Sequence, residues 1–497
     1  MGRFGPILGK WGQICKKEGR FENSLKKNNQ YRMNALRTVT NGVMNSCRCF
    51  SVAARQTRKP QLSFPCIDRM DERQKRLEQS GPEPNYDKIV SGYSTFRFGP
   101  LANSDAFKLQ LGGSLSTFNL AYETWGELNS NKDNVVLIHT GLSASSHAKA
   151  HSLNTRHGWW ESFIGPGKSI DTDKFFVVCT NVLGGCYGST GPMSVDPDSG
   201  KQFGTRFPIV TIVDMVRAQF KLLDALGIDR LHASVGSSMG GMQSLAAAAL
   251  FPERVRRLIT ISAAARSHPY SIAMRYAQRQ VLMSDPNWKR GDYYSGTFPH
   301  NGMKLARQIG TITYRSGPEW EQRFGRKRSD SNATPSFCAD FLVETYLDHQ
   351  SERFVLTYDP NSLLYISKAM DMFDMSDLQA TRFRNLKSSK PELDATPLSS
   401  SNQLEETQSN QDDAYTDLKA LVEGLRPIQM PTLVIGVQSD ILFPVWQQKE
   451  IADCLKRAGN KNVSYFELDA LYGHDTFLID EVNVGSAIKG HLEIIGR

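Results

Sequence analysis

Ser238, Asp440 and His474 are the side chains whose types and settings point most directly to chemistry. Ser238 sits in Gly236-Ser237-Ser238-Met239-Gly240-Gly241, after the apolar run Leu231 to Val235 and before the small-residue run Met242 to Leu250, which suits a helix. Strand, G-x-S-x-G turn and helix form an elbow that strains the serine backbone and raises its hydroxyl at a sheet's carboxyl edge, beside the positive end of a helix. Gly236 and Gly240 leave the room such a turn needs. A G-x-S-x-G arises by accident in any Gly- and Ser-rich chain, so its weight comes from what lies downstream. Pro431 to Val437 reads as a buried parallel strand and ends in Gln438-Ser439-Asp440. A further strand, Val463 to Leu468, leads into Gly473-His474-Asp475. Taken singly, the aspartate is a helix cap and the histidine a surface loop residue. Three loop positions on one sheet edge, in the order Ser, Asp, His, point instead to a triad. Ser238 is then the nucleophile, His474 its general base and later acid, and Asp440 the group that orients the imidazole.

The elements that must position these residues are legible as patterns. Tyr93 to Phe98 and Phe118 to Gly126 alternate like antiparallel strands, whereas Asn134 to His139, Phe175 to Asn181 and Val255 to Ile261 are apolar runs. A helical pattern covers Val210 to Leu226. Strands alternating with helices predict an α/β protein with a doubly wound, mostly parallel sheet, and the elbow makes this an α/β-hydrolase fold. Between Arg266 and about Pro427 the strand patterns stop. Helical periodicity replaces them in Ala273 to Met283, Gly302 to Tyr314 and Phe337 to Arg353, as for a helical cap inserted into the core. The expected organisation is a core in two parts, 91–265 and 427–497, around a cap at 266–426, with a disordered polar insertion at 387–413.

The net charge of +8 is misleading until it is located. Residues 1–60 hold 13 Lys and Arg against two acids, leaving 46 basic and 49 acidic residues for the rest. A near-neutral body does not imply nucleic-acid binding. No apolar stretch approaches the roughly 20 residues of a membrane helix. The segment from Met33 to Arg55 has arginines, hydroxyl residues and no acids, the signature of a mitochondrial transit peptide, so residues 1–50 are expected to be a matrix-targeting segment and 51–90 an N-terminal extension. Arg48-Cys49-Phe50 before Ser51 resembles a processing site. Outside that segment, Cys66, Cys179, Cys186, Cys338 and Cys454 are odd in number and lack metal-ligand spacing, which favours free thiols over disulfides or a zinc site. Gly165-Pro166-Gly167-Lys168-Ser169 resembles the end of a phosphate-binding loop, but Ser162 stands where its first glycine belongs.

Acyl transfer through a serine passes a tetrahedral oxyanion that needs two backbone donors. The elbow offers the amide of Met239, and the loop after the first parallel strand, His139 to His147, offers that of Leu142. Which acceptor takes the acyl group does not follow from periodicity.

A family resemblance reaches further. Asn181 to Pro192, Gly236 to Gln243, Ala277-Gln278-Arg279-Gln280, Asp285-Pro286-Asn287-Trp288, Gly291-Asp292-Tyr293-Tyr294, Ile312-Thr313-Tyr314, Asp359 to Ser362 and Gly473 to Leu478 resemble the homoserine O-acetyltransferase family from about residue 95 onward, the polar insertion excepted. The resemblance implies a ping-pong transfer from acyl-CoA, with no bound cofactor, to an amino acid's side-chain hydroxyl. It carries the acceptor's carboxylate site onto Arg279 and its ammonium site onto Asp475, and it implies a homodimer through the cap. The targeting segment, the insertion and Leu142-Ser143-Ala144-Ser145-Ser146 in place of Leu-Thr-Gly make the chain most similar to the fungal branch that acylates serine for cysteine synthesis. The expectation is therefore a serine O-acyltransferase using acetyl-CoA ahead of succinyl-CoA. Homoserine O-acetyl transfer and ester hydrolysis are the alternative readings.

Overall fold

Strands of β-branched and apolar residues, buried on both faces, build the centre of the molecule, and their carboxyl ends carry the site. The computed structural model describes residues 65–79, 90–99, 106–377 and 411–494. The expected targeting segment, most of the N-terminal extension and nearly all of the polar insertion lie outside the described residues.

Eight strands form one sheet: β1 Ser94–Phe98, β2 Phe118–Trp125, β3 Val135–His139, β4 Phe176–Thr180, β5 Ala233–Ser237, β6 Leu258–Ile261, β7 Thr432–Val437 and β8 Val463–Leu468. Their order is β1-β2-β4-β3-β5-β6-β7-β8. β2 runs antiparallel to β1 and β4, and the other pairs are parallel. In β3 every residue is buried; Val135 and Leu137 join one apolar layer, Val136 and Ile138 the other. That is the signature of a strand covered on both faces, and it is why these runs read as continuously apolar. β8, at the sheet's edge, shows the alternating exposure of a half-covered strand.

Helix α1 spans Pro65–Glu78 and is tied by Arg73 to Asp348 (2.8 Å) and Glu352 (3.1 Å). Helix α2, Ile212–Ala225, starts on a capping box between Thr211 and Asp214. Helix α3, Met239–Leu250, follows the elbow; its small residues bring it close to the sheet, and a side chain at Gly241 would lie 2.5 Å from the Ala263 Cβ. Between β6 and β7 the described chain is helical: α4 Pro269–Met283, α5 His300–Tyr314, α6 Gly317–Arg323, α7 Leu342–Val355, α8 Pro360–Asp371 and α9 Gln411–Leu425. α10 Val445–Arg457, the short α11 Thr476–Ile479 and α12 Asn483–Glu493 complete the fold. Two helix starts differ from the periodicity by four residues or more. α4 begins four residues early, because Pro269 takes the first helical position and the His268 ring accepts the Tyr270 amide (3.2 Å). α7 begins five residues late, at the point where the Glu344 carboxylate takes the Phe341 amide (2.9 Å) and Arg328 holds Asp340 outside the helix.

Candidate active site

At the end of β5 the chain turns so sharply that Ser238 takes φ +58° and ψ −127°, a conformation that strains any residue with a side chain. The glycines of the motif are sterically required: a Cβ on Gly236 would stand 1.9 Å from the Gly240 carbonyl oxygen, and one on Gly240 2.2 Å from that of His139. The Ser238 amide donates to the Ile261 carbonyl (2.9 Å), fixing the elbow to β6. Met239 opens α3, so its amide has no acceptor within the helix.

Asp440 lies three residues past β7. One of its oxygens accepts the amides of Leu442 and Phe443, both at 2.9 Å, and the other accepts Nδ1–H of His474 at 2.6 Å. Those contacts use up the carboxylate and fix the ring. With its proton on Nδ1, His474 presents Nε2 as a base, and that nitrogen is buried without a partner among the described residues. The ring is stacked on Phe443 and met edge-on by Phe477. Burial pulls the imidazole pKa down, but the charge and hydrogen bond of Asp440, aided by Asp475, outweigh it and raise the value above 6.5. Two loops hold the pair together: the Ser439 hydroxyl accepts the Gly473 amide (3.1 Å), and Gly473, at φ +61°, passes too close to Tyr314 and Ser316 for a side chain.

Ser238 and His474 open on one cavity of about 400 Å³. Leu142 lines it, with its carbonyl held by the Tyr358 hydroxyl (2.7 Å). Asp475 lines it too, paired with Arg315 at 3.2 Å. Burial raises the Asp475 carboxyl above its ordinary 3.8, against the pull of Arg315, His474 and Arg307. The structure places Arg279 elsewhere: its guanidinium holds Asp371 and Ser367, and it is not among the residues lining the cavity. The arginines on the lining are Arg275, Arg307 and Arg315. Arg315 is paired with Asp475 and Glu319, and Arg275 with Asp371, which it shares with Arg279. Arg307 has no carboxylate partner among the described residues; it lies 4.2 Å over the Phe354 ring and donates to the Tyr314 hydroxyl (3.2 Å). Sequence reasoning missed Arg307. The available signal was its seven-residue spacing from Tyr314, which sets both on one face of α5.

One group of side chains able to ligate a metal also comes together among the described residues: Glu123, His147 and His151. The loop at Gly165 to Ser169 is closed by its own acid, with the Gly167 amide on Asp171 (2.8 Å), which leaves a poor cradle for a phosphate.

Comparison with known proteins agrees with this fold. Residues 134–481 match the family model described as the alpha/beta hydrolase fold. A serine O-succinyltransferase of Emericella nidulans is 55% identical over 470 residues, covering 88% of this chain and 89% of that protein. Among solved structures, esterase E22 (27% identity) and the homoserine O-acetyltransferase of Bacillus anthracis (25%) both align with TM-score 0.66, over 81% of this chain and 100% and 98% of theirs. The same fold thus hosts transfer and hydrolysis, and the sequence relative separates them. The chain belongs to the homoserine/serine O-acyltransferase family of the α/β-hydrolase fold and is an O-acyltransferase.

Proposed function

We propose that the chain transfers the succinyl group of succinyl-CoA to the side-chain hydroxyl of L-serine through an acyl-enzyme on Ser238. The observation that carries the chemistry is the His474 ring, fixed by Asp440 on one nitrogen and unpartnered on the other, in the cavity that Ser238 lines. The choice of substrates rests on the 55% identical relative, whose name specifies serine and succinyl. That relative names succinyl, so the acetyl preference expected from the sequence is replaced by succinyl.

In the first half-reaction the Ser238 hydroxyl attacks the thioester carbonyl and passes its proton to His474 Nε2. The amides of Met239 and Leu142 hold the oxyanion, each such donor being worth about 10²–10³ in rate. The thiolate of CoA leaves, protonated by His474. In the second half the serine hydroxyl gives its proton to the same nitrogen, attacks the acyl-enzyme, and leaves as the O-acyl amino acid while Ser238 regains its proton. Arg307 with Tyr314 takes the acceptor's carboxylate and Asp475 its ammonium, so Arg307 assumes the role that the resemblance carried onto Arg279. Serine and homoserine differ by one methylene, a distinction worth about 1–3 kcal/mol. A homodimer through the helices between β6 and β7, and a mitochondrial matrix address, complete the reading on the support of the sequence alone.

Thiol release by the full chain, with acetyl- or succinyl-CoA crossed against serine or homoserine, tests the assignment. Succinyl-CoA with serine is expected to give the highest kcat/KM. A maximum with homoserine moves the enzyme to homoserine acylation, and undiminished release without any amino acid makes it a hydrolase.

A further inference from the structure

A donor with a carboxylate at the far end of its acyl chain needs a cation that the acceptor does not occupy. With Arg307 assigned to the acceptor and Arg315 held by two acids, the remaining guanidinium on the cavity lining is Arg275. It lies on α4, one turn before Arg279, and the two share a single carboxylate: Asp371 accepts Nε of Arg275 (2.5 Å) on one oxygen and Arg279 on the other. Two guanidiniums on one carboxylate leave a net positive charge, and their side chains are nearly out of solvent. Arg275 spends Nη2 on the Ser267 hydroxyl (3.0 Å). Its Nη1 is buried with no partner among the described residues.

An unsatisfied charged donor beside a reaction cavity is costly unless something arrives to meet it. We infer that Arg275 is the residue that selects the acyl donor, receiving the terminal carboxylate of the succinyl group and completing a set of two guanidiniums and two carboxylates. Acetyl-CoA brings no such group and leaves Nη1 unmet. Asp371 and Ser267 hold the guanidinium fork in place before the donor arrives, so little ordering is needed on binding. This inference rests on the succinyl-transfer reading above.

The test compares succinyl-CoA with butyryl-CoA, which has the same chain length but ends in methyl, on the full chain and on Arg275→Gln, with serine as acceptor. The wild type is expected to favour succinyl-CoA by about 100-fold in kcat/KM, the size of effect expected when a buried donor is left unpaired. Arg275→Gln is expected to bring the ratio to near one. A variant that keeps its thermal transition and the wild-type ratio overturns the inference. Should Arg275→Gln not fold, Arg275→Lys keeps the charge without the fork and is expected to lower the ratio about tenfold; a wild-type ratio there overturns it equally. A wild type that does not prefer succinyl-CoA refutes the succinyl reading itself, whatever the variants do.

Discussion

Two buried histidines in this protein each lean on a carboxylate, and they are built for opposite ends. His474 gives Nδ1–H to Asp440 and leaves Nε2 without a partner. His147 sets Nδ1 against Glu123 (2.8 Å) and Nε2 against the Arg156 carbonyl (2.8 Å), two acceptors at once. A neutral imidazole has one N–H, so a ring that faces two acceptors is held as the cation. Burial works against that charge, but the hydrogen bonds the ring donates to the Glu123 carboxylate and the Arg156 carbonyl, with the charge of Glu123, raise the His147 pKa above 6.5. Glu123 also takes the Ser146 hydroxyl (2.8 Å) and Nε2 of His151 (2.7 Å), tying β2 to the segment that follows Leu142. The first pair has one unmet bond and can do chemistry. The second has its bonds met and holds the segment that follows Leu142 in place.

Asp440→Asn is expected to break the first pair with the largest effect. It leaves the ring in place but spoils the tautomer, and kcat/KM should fall about 10⁴-fold with little change in the thermal transition. Glu123→Gln should invert that pattern. Removing one partner of a buried ion pair costs about 3–5 kcal/mol of stability, read by denaturant unfolding, while activity per folded molecule falls far less. Equal losses of activity in the two variants would erase the distinction.

Acidity sharpens the contrast further, with a smaller effect. His474 must be neutral to accept a proton, so kcat/KM should rise with pH through a midpoint above 6.5, and the midpoint should fall in Asp440→Asn. The His147 cation contributes stability that is fully present below the ordinary histidine pKa and is lost as pH rises through its raised folded value. Activity and stability should therefore slope in opposite directions above pH 6.5. A stability profile that is flat there, and unaltered by Glu123→Gln, would count against the clamp.

These contrasts also mark what was legible in the chain. The sheet was, because strands buried on both faces read as unbroken apolar runs; the run Pro431 to Val437 holds the strand Thr432–Val437, buried throughout. The approach of Asp440 to His474 was legible as well, since each sits one short loop past its strand. The arginines were not. Arg275, Arg279 and Arg307 all lie on helix faces, and only the fold shows that Asp371, more than ninety residues away in sequence, occupies two of them and leaves the third open. Nor does sequence reveal a clamp such as Glu123 with His147, whose partners come from a strand and a distant loop with no motif to announce them.

The central claim is that the unmet nitrogen of His474 serves a covalent step on Ser238. Mixing the full chain with succinyl-CoA in the absence of an acceptor, quenching, and weighing the peptide that contains Ser238 tests it directly. The account predicts a mass gain of one succinyl group on Ser238, cleared when L-serine is added, with O-succinylserine appearing in its place. Steady release of CoA in the presence of serine, with no acylated Ser238 at any time and undiminished turnover in Ser238→Ala, would contradict it.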